Sequence, residues 1–279
     1  MTRIDAPMNC EIEIAVTNLR RGNFKSVLFD FDGTLSLIRE GWPEVMIPMM
    51  VEVLQETGTR ETREELFQKV EEFVMRLNGK QTIFQMIQLA EEVEKRGGKA
   101  KEPLEYKHEY HRRLMERIQY RLQDLEEKKI APHHWTVPAS HELLQSLKDR
   151  GLKLYLASGT DLKYVLKEAE LLGIAHFFGE HIYGALDQHE NFSKKMIVEK
   201  IIRDHQIRGE ELLGFGDGYV EIEEIKRVGG VAVAVASDEV KRQGINTWKR
   251  NRLIQAGADL VIPEYRQQAE WLPWLLGDQ

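Results

Sequence analysis

Cysteine is almost absent from this sequence: Cys10 is the only one among 279 residues. A single thiol excludes an intrachain disulfide and a zinc site built from several cysteines. The sequence also lacks an uninterrupted apolar run of roughly 18 residues, the length that marks a membrane-spanning helix. Residues 1–9 contain no apolar stretch of the length found in signal peptides. We therefore expect a cytoplasmic protein that does not enter a membrane.

Positive charge is in deficit, with 39 lysines and arginines against 46 aspartates and glutamates and a net charge of −7. This balance argues against nucleic acid or an anionic membrane as a general partner. A small anionic substrate remains compatible, because a local positive field can oppose the overall charge. An apolar content of 42% supports a substantial core, and the length suits one large domain or a core with an insert.

The most informative stretch is residues 26–35, where an apolar run typical of a buried strand ends in Asp30 and Asp32 and Gly33-Thr34 follows at once. Alternate strand residues point to the same face, so we expect the two carboxylates to lie together. They would lie at the carboxyl end of a strand, where open α/β sheets bind their ligands. Neighbouring carboxylates repel each other, and a divalent cation is the simplest compensation for burying them. The pair therefore predicts a reactive site.

The rest of the chain is a helical block followed by alternating helices and strands. After the first strand, apolar residues recur at three- and four-residue spacing, which predicts helices over 42–56, 60–77, 82–96 and 103–129. Later strands are predicted over 152–157, 212–216, 231–236 and 259–262 and near residue 182, with helices between them. Strands that alternate with helices predict a parallel sheet with right-handed crossovers.

Two further polar groups lie where predicted strands and helices meet. Ser158-Gly159-Thr160 follows a predicted strand, and its hydroxyl and backbone N–H groups suit either a phosphate oxygen or a helix N-cap. Lys194 begins a predicted helix, where its charge opposes the helix dipole. Neutralising a phosphoryl group or carboxylates would explain that position. Lys195 competes for the same role, and two solvated lysines are the alternative interpretation.

The last polar group follows the strand predicted over 212–216. Gly216-Asp217 ends this strand, and Glu221 lies four residues further on. Glycine permits close approach of backbone and cation, and carboxylate oxygens are ligands that suit Mg²⁺. Alone, Glu221 would also be explained as favourable acidic charge in the first turn of a helix.

In order, spacing and placement, these groups resemble the four motifs of the haloacid dehalogenase-like (HAD) superfamily. The matching residues are the Asp-x-Asp-Gly-Thr run at 30–34, Ser158, Lys194, and the pair Asp217 and Glu221. The register of the apolar helix stripe resembles the third motif better with Lys194 than with Lys195. Glu221 stands where the fourth motif, Gly-Asp-x-x-x-Asp, has its final Asp. The resemblance covers residues 26–35 and about 137–262.

The resemblance implies an α/β fold, with a Rossmann-like parallel sheet (HAD core) and an inserted α-helical C1-type cap domain. The core would comprise residues 1–38 and 131–279, and the cap residues 39–130. An insert between the first two motifs is typical of a C1 cap, whereas the interval 160–217 is too short for an additional C2 cap. A helical bundle that merely buries one edge of the sheet is the alternative.

The resemblance also implies a Mg²⁺-dependent phosphatase that hydrolyses a small phosphorylated metabolite through an aspartyl-phosphate. The implied catalytic residues are Asp30 as nucleophile, Asp32 as general acid and base, and Lys194. The implied phosphate-binding residues are Thr34, which also fixes its turn, Ser158, Gly159 and Lys194. The implied metal ligands are Asp30, the backbone carbonyl of Asp32, Asp217 and Glu221.

A sugar or polyol phosphate is the expected substrate class. The carboxylate of Asp32 argues against a dehalogenase, because members with that activity lack an acid there. A phosphosugar mutase uses the same motifs and is the alternative enzyme, and a non-catalytic protein-binding module is the alternative outside catalysis. Arg39 and Lys80 are candidates for a second substrate charge, and nothing in the sequence selects them. The apolar segment 271–276 suits packing on the sheet or a dimer contact, so a monomer or a homodimer is expected.

Overall fold

The structure, a computed structural model, describes residues 10–186 and 193–278. It divides into two compact units, of which one is Gly41–Gln123 and the other comprises the described residues on either side. Residues 1–9, from which we expect no targeting segment, lie outside the described residues. Within the described ranges, no helix has both the length and the apolar character required to cross a membrane.

The unit Gly41–Gln123 is built from helices. The bounds are α1 (Pro43–Gln55), α2 (Arg63–Arg76), α3 (Thr82–Lys95) and α4 (Pro103–Glu126), the last of which extends beyond the unit. The four predicted helices are thus confirmed. Helix α2 begins with a capping box in which Thr62 and Glu65 each accept a hydrogen bond from the other's backbone N–H. Gly79 and Gly97 adopt positive φ between successive helices, a conformation that glycine takes without a steric penalty.

The flanking unit contains one seven-stranded sheet. Its strands are β1 (Glu13–Ile14), β2 (Ser26–Phe29), β3 (Lys153–Asp161), β4 (Ile182–Ala185), β5 (Leu212–Gly216), β6 (Val231–Val235) and β7 (Leu260–Ile262). They lie in the order β1-β7-β6-β5-β2-β3-β4, and every neighbouring pair is parallel except β1 and β7. The predicted α/β fold with a parallel sheet is therefore confirmed.

Helices connect these strands and follow the last one. They are α5 (Ser140–Asp149), α6 (Leu162–Leu171), α7 (Ala175–Phe178), α8 (Lys194–His205), α9 (Tyr219–Arg227), α10 (Thr247–Gln255) and α11 (Gln268–Leu276). The apolar segment at 271–276 lies in α11, where Trp271 is buried with its ring centroid 6.3 Å from that of Phe215. Packing on the sheet is thus the role that this segment has in the fold.

Strand β2 lies at the centre of the sheet, between β3 and β5. All four of its residues are buried, as expected for a parallel strand whose two faces are both covered. Phe29 stacks on Phe215 of β5 with the ring centroids 4.9 Å apart. Phe29 is also in register with Leu156 of β3. This register brings the residues that follow the three strands to one edge of the sheet.

Strand β3 continues four residues past its predicted end, to Asp161. Its pairing with β4 is irregular between Ala157 and Asp161. The approach is close at Gly184, where a Cβ atom would lie 2.8 Å from the carbonyl oxygen of Thr160. Ser158-Gly159-Thr160 consequently belongs to the end of the strand, and the N-cap of α6 is Asp161.

Candidate active site

Three acidic side chains meet at the carboxyl edge of the central strands. Asp30 follows β2 directly, and Asp217 and Glu221 belong to the turn after β5 and the first turn of α9. Each offers a carboxylate oxygen, and these three atoms all lie within 4.8 Å of one another. Because the acids come from two neighbouring parallel strands in register, the sheet itself brings them together.

Two glycines make the close approach of these acids feasible. Gly33 adopts a φ of +77°, and a Cβ atom there would lie 2.2 Å from Asp217 Oδ2. A Cβ atom on Gly216 would lie 2.1 Å from Cγ of Glu221. Any larger residue at either position would displace an acid, so glycine is required at both for steric reasons.

The side chain of Lys194 neutralises two of the acids. Its Nζ donates to Asp30 Oδ1 at 2.6 Å and to Glu221 Oε2 at 2.7 Å, and the residue is only 6% exposed. Burial lowers the pKa of the Lys194 ammonium, but the charges of Asp30 and Glu221 outweigh that effect and raise it. Lys195, the competing candidate, is exposed. The geometry thus brings Lys194, and not Lys195, to the acids.

The carboxyl of Asp30 lies in a different electrostatic setting from an ordinary aspartate. Burial raises its pKa well above the usual range, Lys194 opposes that rise, and Glu221 and Asp217 add to it. The cluster therefore carries more negative charge than Lys194 alone compensates. A bound divalent cation would relieve that excess.

Asp32 lies apart from the acid cluster and has its own partners. Its Oδ2 accepts hydrogen bonds from Thr160 Oγ1 at 2.9 Å and from Ser158 Oγ at 3.3 Å. Its Oδ1 has no hydrogen-bond partner among the described residues, and Arg39 Nε is 3.8 Å away. Burial raises the pKa of Asp32 to about 6, although Arg39 lowers it. This carboxyl can therefore exchange a proton near neutral pH.

Arg39 is held beside Asp32 by a buried ion pair. Its Nη2 and Nε donate to Glu168 Oε1 at 2.6 and 3.1 Å, and Nε also donates to Oε2 at 3.1 Å. Both residues are buried, and Glu168 belongs to α6. Such a forked pair fixes the guanidinium plane, because two parallel hydrogen bonds define its orientation.

A family model of the haloacid dehalogenase-like hydrolases matches residues 24–229, which is well over half of the chain. The chain belongs to the haloacid dehalogenase-like hydrolases. The match spans the two aspartates of the first motif, Lys194, and the Gly-Asp turn after β5. The acid cluster is therefore the candidate active site of a HAD-like hydrolase.

Solved structures with the same fold are found among proteins of low sequence identity. A predicted phosphoglycolate phosphatase from Haemophilus somnus is 17% identical, with a TM-score of 0.58 over 88% of this chain and 97% of its own. A hydrolase from Pseudomonas syringae is 18% identical, with a TM-score of 0.58 over 90% of this chain and 99% of its own. β-Phosphoglucomutase from Clostridium difficile is 14% identical, with a TM-score of 0.57 over 91% and 99%. A comparison with curated proteins gives no significant match.

The predicted phosphate-binding residues Ser158 and Thr34 differ in the hydrogen bonds that their hydroxyls make. Ser158 is buried, and its Oγ accepts a hydrogen bond from the backbone N–H of Thr160 in addition to donating to Asp32. Thr34 is fully buried, and its hydroxyl makes no hydrogen bond within the described ranges. The turn after β2 is instead held by backbone bonds, with Leu35 N–H and Ser36 N–H both donating to the carbonyl oxygen of Phe31.

Sequence reasoning missed one lysine and one acid beside it. Lys249, in the first turn of α10, donates from Nζ to Asp217 Oδ2 at 2.8 Å and to Glu239 Oε1. Burial lowers the pKa of Lys249, but Asp217 and Glu239 raise it by more. A lysine in the first turn of a helix after a strand is the same signal that selects Lys194, and it would have identified Lys249.

The donor set fits a hard divalent cation. The cluster offers carboxylate oxygens, the ligand type that Mg²⁺ prefers. Both oxygens of Glu221 already accept hydrogen bonds, Oε1 from the backbone N–H of Gly218 at 2.6 Å and Oε2 from Lys194. The carboxylates of Asp30 and Asp217 are therefore better placed than that of Glu221 to face an ion.

Exchange of Lys194 for methionine tests the choice between the two lysines. We expect turnover to fall by roughly 10²–10³-fold, since Asp30 loses the ammonium group that it contacts at 2.6 Å. Unfolding should require about 3–5 kcal/mol less, because Asp30 and Glu221 are left buried beside each other without their cation. Lys195→Met is the matched control and should change neither quantity. Steady-state kinetics and thermal unfolding of both variants decide the matter; a larger loss in Lys195→Met would reverse the assignment.

Proposed function

We propose that this HAD-like hydrolase is a Mg²⁺-dependent phosphatase that cleaves a small phosphomonoester, a sugar or polyol phosphate, through an aspartyl-phosphate on Asp30. The observation that carries the proposal is the contrast between two aspartates two residues apart. Asp30 is bound to the Lys194 ammonium at 2.6 Å, whereas Asp32 has an oxygen without a hydrogen-bond partner among the described residues. One environment suits a nucleophile and the other an acid or base.

The metal ligands in this proposal are Asp30, Asp217 and the backbone carbonyl of Asp32. Bound there, Mg²⁺ would offset the charge of the substrate phosphate and of the attacking carboxylate. Glu221 borders the ion, and we assign it mainly to holding Lys194, because Lys194 and Gly218 N–H already occupy its two oxygens.

In the first step, a carboxylate oxygen of Asp30 attacks phosphorus and the bond between phosphorus and the substrate oxygen breaks. A carboxylate needs no base to become a nucleophile, but it needs positive charge nearby, which Lys194 supplies. The leaving alkoxide takes a proton from Asp32, whose raised pKa of about 6 keeps part of its population protonated near neutral pH.

In the second step, water attacks the phosphorus of the aspartyl-phosphate. Asp32, now ionised, accepts the proton of that water, and the carboxylate of Asp30 is released together with inorganic phosphate. Thr160 and Ser158 hold Asp32 through Oδ2, which leaves Oδ1 for the proton. Oδ1 of Asp32 thus gives up a proton in the first step and accepts one in the second.

Binding of the transferring phosphoryl group is assigned to Lys194, the Ser158 hydroxyl, the N–H groups near Gly159 and the Thr34 hydroxyl. Ser158 supports this assignment because its Oγ lies at the end of β3 and already reaches Asp32 at 3.3 Å. Thr34 supports it by having a buried hydroxyl without a hydrogen-bond partner in the described part of the chain. Each would gain a phosphoryl oxygen as its partner.

The segment 39–130 is proposed to be a C1-type cap that selects the substrate. Its support is the position in the chain, because the helical unit Gly41–Gln123 is inserted directly after the turn that carries both aspartates. In this role the cap would admit water, or a second sugar phosphate, to the aspartyl-phosphate. In a phosphatase the acceptor of the phosphoryl group is water, whereas in a phosphosugar mutase it is a sugar phosphate.

A screen of phosphorylated metabolites tests the proposed function. The metal-stripped protein is assayed for released inorganic phosphate with sugar phosphates, polyol phosphates and phosphoglycolate, before and after Mg²⁺ is added. We expect release from at least one ester, complete dependence on the cation, and loss on adding EDTA. ³¹P NMR would monitor the interconversion of sugar phosphates in the same samples. Interconversion that requires a catalytic amount of sugar bisphosphate would indicate the mutase. Folded protein that turns over no ester would support the binding module.

A further inference from the structure

Lys249 is a second buried cation at the acid cluster. It is 8% exposed, and its ammonium lies between the carboxylates of Asp217 and Glu239. Lys194 contacts Asp30 and Glu221 instead. The cluster and its immediate neighbours therefore contain four carboxylates and two ammonium groups. Each of the three acids of the cluster forms an ion pair with a lysine, and the group as a whole keeps a net negative charge.

The fold holds Lys249 in place from two directions. Asn246 caps α10 by accepting a hydrogen bond from Lys249 N–H at 3.0 Å, and its own N–H donates to the carbonyl oxygen of Ala236 at 2.7 Å. Ser237 bridges to Ile245, which closes the loop that carries Glu239. The position in the first helical turn opposes the helix dipole. Interaction with the acids is thus the electrostatic reason for a lysine at this position.

We infer that Lys249 is a built-in counter-ion that competes with the bound cation for Asp217, and that the pair of Lys249 and Glu239 sets the affinity of the metal site. This inference rests on the proposed function, which makes Asp217 a metal ligand. Without the cation, Lys249 neutralises Asp217. With the cation bound, Asp217 is shared between two positive charges, and Glu239 draws Lys249 away from it.

The two members of the pair should act in opposite directions. Replacing Lys249 removes a positive charge close to the cation and leaves Asp217 without its partner, so the site should bind Mg²⁺ more tightly. Replacing Glu239 removes the other acid that the Lys249 ammonium contacts among the described residues, so the lysine should hold Asp217 more firmly. Mg²⁺ binding should then weaken.

Calorimetric titration of metal-stripped protein with MgCl₂ alone tests this inference without reference to turnover. We expect Lys249→Met to bind Mg²⁺ at least about 10-fold more tightly, and Glu239→Gln to bind it several-fold more weakly, since unit charges a few ångströms away act directly on the ion. Lys249→Arg, which keeps the charge, should remain close to the original affinity. Thermal unfolding should show a larger stabilisation by Mg²⁺ in Lys249→Met than in the unmodified protein.

Lys226→Met is the matched control. Lys226 also forms an ion pair with an aspartate, Asp259 at 2.7 Å. Asp259, however, precedes β7 and accepts a hydrogen bond from the backbone N–H of Ala232 near the start of β6, at the opposite edge of the sheet. This variant should lose stability and keep its Mg²⁺ affinity. If Lys249→Met does not fold, Glu239→Gln still decides, because a merely structural pair predicts no change in affinity. Unchanged affinity, or shifts of the same sign in both variants, overturns the inference alone; an unmodified protein that binds no Mg²⁺ overturns the metal site as well.

Discussion

Asp30→Asn is expected to abolish turnover, with a loss of at least about 10⁴-fold, and to leave the fold intact. The amide has no negative charge and is too weak a nucleophile to attack phosphorus. Its oxygen can still accept the hydrogen bond that Lys194 donates to Asp30 at 2.6 Å. Activity would be measured with the best ester from the screen, and the fold by circular dichroism and thermal unfolding.

The stability of this variant carries separate information. Burial and the neighbouring acids raise the pKa of Asp30, so its ionised form destabilises the folded protein at neutral pH. Removing the charge should therefore keep or raise the unfolding temperature, although Lys194 loses one of its two acids. Electrostatic repulsion that destabilises the folded state is common at functional sites, where activity requires a charged group.

Asp259→Asn is the control for a buried aspartate that pairs with a lysine. Asp259 is 5% exposed, contacts Lys226, and accepts a hydrogen bond from the backbone N–H of Ala232. Its replacement should lower the unfolding temperature while specific activity per folded molecule is kept. If Asp30→Asn retains substantial turnover while Asp259→Asn behaves as described, Asp30 is not the attacking group.

The sequence predicts the acid cluster well because its members follow central parallel strands. An apolar strand followed at once by Asp30, and another followed by Gly216-Asp217, is a local pattern, and parallel pairing aligns the two ends. Lys194 could be predicted because its charge opposes a helix dipole, which is also a local observation. Burial of the lysine, which separates it from Lys195, appears only in the fold.

The partners of Asp32 could not be predicted in the same way. Thr160 reaches Asp32 because β3 continues past its predicted end and pairs irregularly with β4. Glu168 fixes Arg39 across 129 positions of sequence. In the sequence it is one of several charged residues of α6, and nothing local distinguishes it. Such contacts depend on how helices and strands pack, which single-sequence patterns do not contain.

Two of the elements that were not predicted show how length and periodicity limit the sequence signal. Strand β1 has only two residues and pairs antiparallel with β7, so it offers no alternating pattern to detect. Helix α11 is apolar over most of its length and contains Pro273, which normally argues against the interior of a helix. Its burial against the sheet outweighs the local preference.

Asp32→Asn should slow turnover by roughly 10²–10⁴-fold, the usual size of a general acid–base contribution. Asparagine cannot give a proton to the leaving alkoxide or accept one from water, so both proposed steps suffer. Its side chain can still accept the hydrogen bonds from Thr160 and Ser158 that hold Asp32. An unchanged rate in this variant would assign the proton transfers to another group.

The pH dependence of the same variant separates proton transfer from a structural effect. The pKa of Asp32 is raised to about 6 by burial, so its protonated form, which the first step needs, declines as pH increases through that value. In the unmodified enzyme kcat should fall above about pH 6 wherever the first step limits the rate, and Asp32→Asn should lack that decrease.

Protein stability gives an independent check on the ionisation of Asp32. At pH values between the ordinary pKa of an aspartate and the raised pKa of Asp32, the folded state binds more protons than the unfolded state, and stability therefore falls as pH increases. Asp32→Asn should remove that fall and be the more stable protein at pH 8; an identical pH profile of kcat in both proteins would mean that the ionisation belongs elsewhere.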